Sequence, residues 1–468
     1  FVPDGGDAVH INLIDNDTCT NCHVGGFDGH GGRWTEPGSC QTCHTLQTTD
    51  PESGNTVAFG VMLHKLHAGA GLPSVQAGEP YQIIGYRNTV YDFSDVHLPR
   101  PVTDCNACHA GDAPDAWQQA EFNACTSCHD RTAFALPVPE GEGWALHSAG
   151  PQAPNSCGNC HGPVGGPISV TSAHLPPEAA LDLVGLNITL LEASNVAPGQ
   201  NPTVYLTLTN DAGAAVDPAS LDFLEIVLAG PTSGYDWSVS MRNVHQAVVV
   251  DGDRLRVDLN VGVPAEATGS IAIGAAGYRY LPYGAGRADS IAREYGGNPV
   301  LYAALGGGDP VMPQAKVTQD ACNACHGELK LHGTFRRDVE YCVTCHNDTA
   351  TDAAVRPEGA GDPASIDFGP MVHRIHAGAH LNEPAVIYGF GGSEHNYGEV
   401  HYPGDLSACS ACHQSGADVP STKGCTSCHD SSAAKAHAAL ETAPDGTEAC
   451  GVCHSVGREA GVDKFHTW

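Results

Sequence analysis

Ten times along the chain, two cysteines stand three positions apart with a histidine directly behind the second. In the first part of the chain these sets are Cys19, Cys22 and His23; Cys40, Cys43 and His44; Cys105, Cys108 and His109; Cys125, Cys128 and His129; and Cys157, Cys160 and His161. In the last part they are Cys322, Cys325 and His326; Cys342, Cys345 and His346; Cys409, Cys412 and His413; Cys425, Cys428 and His429; and Cys450, Cys453 and His454. Two thiols at this spacing can form thioethers to porphyrin vinyl groups, and the adjoining imidazole then takes one axial position on the iron. This is the attachment pattern of a c-type haem. A zinc site also uses Cys-x-x-Cys, but it needs paired knuckles closing one tetrahedron. It gives no reason for a histidine after every second cysteine. The ten sets use all 20 cysteines, so no thiol in this sequence is left over for a disulfide, a lipid anchor or a nucleophile. The cofactor expected is ten covalent haems c.

Each iron has a second axial position, and the remaining histidines are the natural candidates. Of 26 histidines, sixteen lie outside the motifs. Twelve of these recur in pairs when the two ends of the chain are aligned: His30 with His332, His64 with His373, His67 with His376, His97 with His401, His147 with His437, and His174 with His466. Five distal ligands are wanted at each end and six candidates are present. His97 and His401 lie two residues before a proline in an extended segment, and they are the pair expected to be spare. The distal ligands expected are therefore His30, His64, His67, His147 and His174, then His332, His373, His376, His437 and His466. His64 and His67, like His373 and His376, stand at i and i+3 on one face of an apolar helical stretch. Two closely stacked haems can take one each. Met62 and Met371 read as helix packing, and His10, His245, His380 and His395 as surface or structural residues. Iron held mostly by two histidines favours low potentials and leaves no open position, which is the chemistry of a wire.

The elements that carry these ligands form an internal repeat. Motif starts are separated by 21, 65, 20 and 32 residues in the first set and by 20, 67, 16 and 25 in the second. FGVMLHKLHAG (59–69) matches FGPMVHRIHAG (368–378), DVHLPRPVTDCNACH (95–109) matches EVHYPGDLSACSACH (399–413), and ACTSCHD occurs at both 124–130 and 424–430. Between the sets, residues 181–285 hold no cysteine. They run in short Val-, Ile-, Leu- and Thr-rich stretches between Gly, Pro, Asn and Asp turns, an all-β sandwich or barrel signal. Residues 286–315 read as a Gly- and Pro-containing connection. The fold class expected is a multihaem cytochrome c with two loop-rich, short-helix pentahaem domains flanking one all-β domain. The boundaries expected are 1–178, 179–309 and 310–468.

Aromatic residues make up only 6% of the chain. The cores of the haem regions should therefore be largely porphyrin, and these regions should unfold without it. Lys and Arg number 21 against 53 Asp and Glu, for a net charge of −32. Such a surface repels nucleic acid, so no nucleic-acid partner is expected. It suits a soluble protein, a metal-rich surface or a basic partner. No apolar run reaches the ~18 residues of a membrane span. The chain begins with Phe1, which suits a form whose export signal peptide has been removed. Covalent haem c is attached outside the cytoplasmic membrane. Acidic loops such as 15–18 leave calcium open as an additional ion, without the spacing of an EF-hand.

The five-plus-five arrangement, together with CNACHGELKLHGTFRRDVEYCVTCHN (322–347), MVHRIHAG (371–378), VHYPGDLSACSACH (400–413) and CTSCHDSSAAKAHAA (425–439), resembles the OmcA/MtrC family of decahaem outer-surface cytochromes. VAPGQNPTVYLTLTNDAGAAVD and LAGPTSGY resemble that family's interposed β domain. The resemblance implies closely packed bis-His haems and extracellular electron transfer. Electrons would leave through an outer-membrane conduit and reach metal oxides, soluble metals, flavins or other cytochromes. Two departures stand out: metal-reducing members carry a β domain before the first haem region, and some have a cysteine pair in a β domain that is lacking here. A discrete surface cytochrome and a head-to-tail filament of copies of this chain are both compatible with the sequence. The competing reading is an enzyme, a multihaem reductase with one open-coordination haem. The surplus of histidine counts against it.

Overall fold

The computed structural model describes residues 13–27, 29–165, 168–176, 183–282 and 291–466. It divides into two compact units. One is Phe1–Ala180 with Gly284–Gly286 and Ala324–Gly327; the other is Leu181–Tyr283, Arg287–Asn323 and Glu328–Trp468. His10 lies outside the described residues.

The second unit contains the β region. Its strands are β1 (Asn187–Ser194), β2 (Thr203–Thr209), β3 (Phe223–Gly230), β4 (Trp237–Arg242), β5 (Val249–Asp251), β6 (Arg254–Asp258), β7 (Ser270–Pro282), β8 (Ile291–Tyr295) and β9 (Val300–Ala304). They form two open antiparallel sheets. One has the order β1-β2-β6-β5. In the other, β7 pairs with β3, which pairs with β4, while the opposite edge of β7 takes β9 along its first half and β8 along its second. In β2, the alternation of apolar and polar residues turns Val204, Leu206 and Leu208 inward. They meet Leu224, Ile226, Leu228, Ile271 and Ile273 of the other sheet in one core. Each such side chain stabilises the fold by about 1.5–3 kcal/mol relative to exposure. The segment 286–315, expected to be a plain connection, in fact contains β8 and β9. Their short runs complete the second sheet because the long strand β7 offers them a free edge.

β3 departs from alternation: all eight of its residues are buried. A strand covered on both faces reads as a continuous apolar run. Leu224, Ile226 and Leu228 point into the sandwich. Phe223 and Val227 point the other way, against Phe335 and Tyr341 of the second haem region. Tyr341 is 1% exposed, and a Cβ at Gly274 of β7 would stand 2.8 Å from its ring. Glycine is needed there for the close approach. Glu225, in the middle of the outward face of β3, accepts from Arg336 Nη2 at 2.6 Å.

The haem regions are built from short helices, turns and bridges. The His-x-x-His segments form helices Phe59–Ala68 and Phe368–Ala377. Each ends at a glycine, Gly69 or Gly378, where a Cβ would run into the Val96 or Tyr397 carbonyl. Ala70 and Ala379 then donate their N–H groups to Val96 O and Val400 O, at 3.1 and 3.0 Å. A hairpin follows in each copy, Gln82–Ile84 with Val90–Asp92 and Val386–Tyr388 with Glu394–Asn396. Among the described residues, no apolar core cluster contains a side chain of the first unit. Its buried apolar residues are few: Ala58, Leu72, Tyr81 and Ala133.

This distribution predicts how the chain behaves without cofactor. Protein made without haem attachment should keep slow amide hydrogen exchange in β2, β3 and β7 and lose it in both His-x-x-His helices. Equal protection in the two places would contradict a core made of porphyrin.

Candidate haem centres

Every motif is built on one helical turn. The histidine N–H donates to the carbonyl of the first cysteine, four residues back: His23 to Cys19 at 3.0 Å, His109 to Cys105 at 3.0 Å, His346 to Cys342 at 2.9 Å and His429 to Cys425 at 2.8 Å, for example. The sixth motif closes the helix Gln319–His326. A turn of 3.6 residues sets both sulfurs and the imidazole on one side of the backbone. None of the 20 cysteines forms a disulfide.

The motif histidines do not stand alone. His23 faces His67, with ring centroids 6.4 Å apart. His44 faces His30 at 5.9 Å, and His109 faces His64 at 6.1 Å. His129 faces His174 at 6.3 Å, and His161 faces His147 at 6.2 Å. The second region repeats this: His346 with His332 at 5.8 Å, His413 with His373 at 5.8 Å, His429 with His466 at 6.2 Å and His454 with His437 at 6.1 Å. In the repeat, His326 and His376 occupy the positions of His23 and His67. His97 and His401 are exposed and belong to none of these pairs. His395 is exposed as well and stacks on Tyr397.

Many of the outer ring nitrogens are tied to backbone carbonyls. His67 Nδ1 donates to Leu63 O at 2.9 Å, His174 to Val170 O at 2.7 Å, His376 to Val372 O at 2.9 Å and His466 to Val462 O at 3.3 Å. Each acceptor is four residues back, because a helical side chain leans toward the N-terminus. Several motif histidines use the loop that follows them. His44 donates to Val57 O, His161 to Ile168 O, His346 to Ile366 O and His454 to Ala460 O, all at 2.8–2.9 Å. His147 departs from this: its Nδ1 lies 3.3 Å from the Ala149 N–H, which donates to it. A proton held on Nδ1 leaves Nε2 as the coordinating atom.

This donor set fits haem iron. Two metal–nitrogen bonds of about 2 Å each, with the ring radii added, span roughly 6 Å, the spacing of the nine pairs. The Nε2 atoms of His373 and His413 face each other at 3.5 Å. Burial pushes His64, His67, His109, His129, His346 and His413 below the usual imidazole value. Burial, then Arg336 and His346, takes His332 to about 4, and burial, then His413 and His376, takes His373 to about 4. These rings are neutral at pH 7, the state that binds metal. Among the described residues, no three His, Cys, Asp or Glu side chains gather as a separate ion site, and none does so for calcium.

The thiols show which motifs are neighbours. Burial raises them first, and a thiol of an adjacent motif adds repulsion: Cys40 and Cys108 on Cys19, Cys128 on Cys105, Cys157 on Cys125. In the second region Cys322 acts on Cys342, Cys412 on Cys322, Cys409 on Cys428, and Cys450 on Cys425. In each region the spatial order is therefore second, first, third, fourth, fifth.

Two supporting contacts were not singled out from the sequence. Lys65, between His64 and His67, pairs with Asp130, the residue after His129, at 2.5 Å; their side chains are 14% and 9% exposed. Asp130 also accepts from Ser74 N–H and Oγ. In the second copy, Arg374 stands 3.8 Å from the fully buried Asp430. Asp430 is held down to about 2. Burial, which opposes this, is outweighed by the Asn382 and Glu383 donors and by Arg374. Lys65 and Arg374 align in the repeat, as do Asp130 and Asp430, so the signal was present in the spacing.

A doubled set of five c-haem attachment turns, with a two-sheet β sandwich between them in the chain, defines a multihaem c-type cytochrome. A family model for outer membrane cytochromes, MtrC/MtrF-like, domains II/IV, matches residues 11–174 and 314–467, and the chain belongs to that family. Its members are electron-transfer cytochromes of the outer membrane. The fold is similar to the crystal structure of the outer membrane decahaem cytochrome OmcA, with a TM-score of 0.70 at 19% identity, covering 98% of this chain and 75% of that one. It is also similar to MtrC from Shewanella baltica OS185, with a TM-score of 0.62 at 17% identity, covering 97% of this chain and 76% of that one. No curated protein matches the sequence. Among the described residues, no helix is long and apolar enough to cross a membrane.

The Lys65–Asp130 pair predicts a stability effect. Asp130→Ala strands a buried ammonium and should cost about 3–5 kcal/mol. The check is the chemical denaturation midpoint of the haem-loaded variant. A change below about 0.5 kcal/mol, the surface-substitution range, would show that the pair does not hold the helix to the fourth motif.

Proposed function

We propose that this chain is an extracellular electron carrier with ten covalent haems c, each held by one Cys-x-x-Cys-His turn and by a second histidine. The observation that carries this reading is the nine facing imidazole pairs, each joining a motif histidine to one outside the motifs. The distal ligands are His67, His30, His64, His174 and His147 for the first to fifth motifs, and His332, His373, His466 and His437 for the seventh to tenth. By the repeat, His376 serves the sixth. Haem c bound there supplies one-electron exchange and needs no separate substrate site.

The chain's own part is to hold the facing rings in place, in seven of the nine pairs through a backbone carbonyl on Nδ1–H, and to bring the motifs of each region together in space. The order second, first, third, fourth, fifth makes each region a short continuous path. Were haem bound, each motif histidine and its partner would hold the iron between them and leave none for substrate. This supports a carrier over a reductase. The acceptors proposed are metal oxides, soluble metals, flavins or other cytochromes at the outer face of the outer membrane, reached after export. Delivery occurs by discrete molecules or along a head-to-tail filament.

Two measurements test this. Electron paramagnetic resonance of the oxidised protein should show wholly low-spin iron; a stoichiometric high-spin signal would favour the reductase. Light scattering with electron microscopy on the same haem-loaded sample gives the delivery mode. Long particles of uniform width mean a filament, and a uniform small particle means a discrete cytochrome.

A further inference from the structure

Seven of the nine imidazole pairs include a ring whose Nδ1 donates to a backbone carbonyl. The two that do not are the third pair, His64 with His109, and its repeat counterpart, His373 with His413. His64 Nδ1 instead stands 3.5 Å from Ser127 Oγ, and His373 Nδ1 stands 3.0 Å from Ser427 Oγ. These serines are the third residue of the fourth and ninth Cys-x-x-Cys-His motifs, and they are 1% and 3% exposed. Their hydroxyl protons are already committed. Ser127 donates to Asn123 O and Ala124 O at 2.7 and 2.9 Å, and Ser427 donates to Gly424 O at 2.5 Å. Only oxygen lone pairs remain to face the imidazole, so the ring donates and the serine accepts. On the other side of each pair, no hydrogen-bond partner reaches the buried His109 Nδ1 or His413 Nδ1 among the described residues. The Lys316 carbonyl, which also accepts from the Gln414 N–H at 3.1 Å, lies near enough to His413 to act on it but outside hydrogen-bond geometry.

An acceptor on Nδ1–H pushes electron density into the ring and makes it a stronger donor to ferric iron. This outer contact is one of the levers on the potential of a bound haem. A peptide carbonyl is a stronger acceptor than an alcohol. Among the described residues, the third and eighth pairs have one alcohol contact and one ring with no acceptor in hydrogen-bond geometry, whereas every other pair has at least one carbonyl. Building on the ligand assignment above, we propose that Ser127 and Ser427 are positioning residues. Each is supplied by one motif to orient the distal histidine of its neighbour, and they leave the third and eighth sites the least electron-rich of their regions. Ferrous iron is favoured there, so electrons rest at these two sites. The third motif lies between the first and the fourth in space, so the resting place is inside the path and away from its ends.

The test uses the haem-loaded protein and a potentiometric titration followed by electron paramagnetic resonance. In the unaltered protein, two low-spin signals should disappear before the rest as the potential is lowered. Ser427→Ala removes the Ser427 acceptor from His373 Nδ1, and one of those two signals should move to higher potential. Ser127→Ala should do the same to the other by a smaller amount, given its longer contact. Ser427→Thr keeps a hydroxyl and should keep the original value. A serine of merely structural importance would change haem content or unfolding midpoint while leaving the order of reduction alone. If either alanine variant fails to load ten haems, the titration of the unaltered protein still decides. No pair of signals separated above the others overturns the proposal. So do alanine variants with ten haems and unmoved potentials. High-spin iron in the unaltered protein would instead overturn the ligand assignment beneath it.

Discussion

Two uncharged imidazoles must be held nitrogen to nitrogen across a gap of fixed width, and this must be done repeatedly in a chain with little apolar material to spare. An isolated side chain on a loop cannot keep such a position, because rotation about two side-chain bonds sweeps the ring through several ångströms. Most rings therefore have a second point of attachment at Nδ1. On helices the carbonyl four residues back supplies it; in motifs the loop that follows does so. The Gly69 and Gly378 turns and the Lys65–Asp130 pair serve the same end one layer further out. They fix the short helix that carries two of the rings.

The two halves of the architecture solve the stability problem differently. The sandwich buries Leu, Ile and Val between sheets and contains nearly all of the described apolar core. The haem regions rely on turns, bridges and buried carboxylates that gather several donors, such as Asp352 with Arg356, Ala364 and Tyr388. Such networks specify shape more than they supply stability. In these regions the described apolar side chains alone supply little stabilising surface.

The attachment turns were legible because each is local, needing only five consecutive residues. The histidines proposed as distal ligands are not local, yet duplication drew attention to them: two copies of the same spacing separated the recurrent rings from the incidental ones. Matching also drew attention to His97 and His401, and only the fold shows them exposed and outside the pairs. Which ring of a His-x-x-His helix faces which motif was beyond the sequence. His64 meets the third motif and His67 the first, and that depends on how the chain returns. Strands β8 and β9 were hidden because a run such as Ile291–Tyr295 is charged at its centre and becomes a strand only against the edge of β7. The serines inside the fourth and ninth motifs were hidden in plain view, in positions a pattern search treats as arbitrary.

The doubly covered strand β3 bears on the history of the repeat. Its outward face is matched by Phe335, Arg336 and Tyr341, and the aligned positions of the first copy carry Arg33, Trp34 and Ser39. The first copy has neither the guanidinium that answers Glu225 nor the phenol ring that Gly274 makes room for. The second copy is fitted to the outward face of β3 by these side chains and the first copy carries others at the same positions, so the two are not interchangeable. Positions that match in the repeat thus answer to different neighbours.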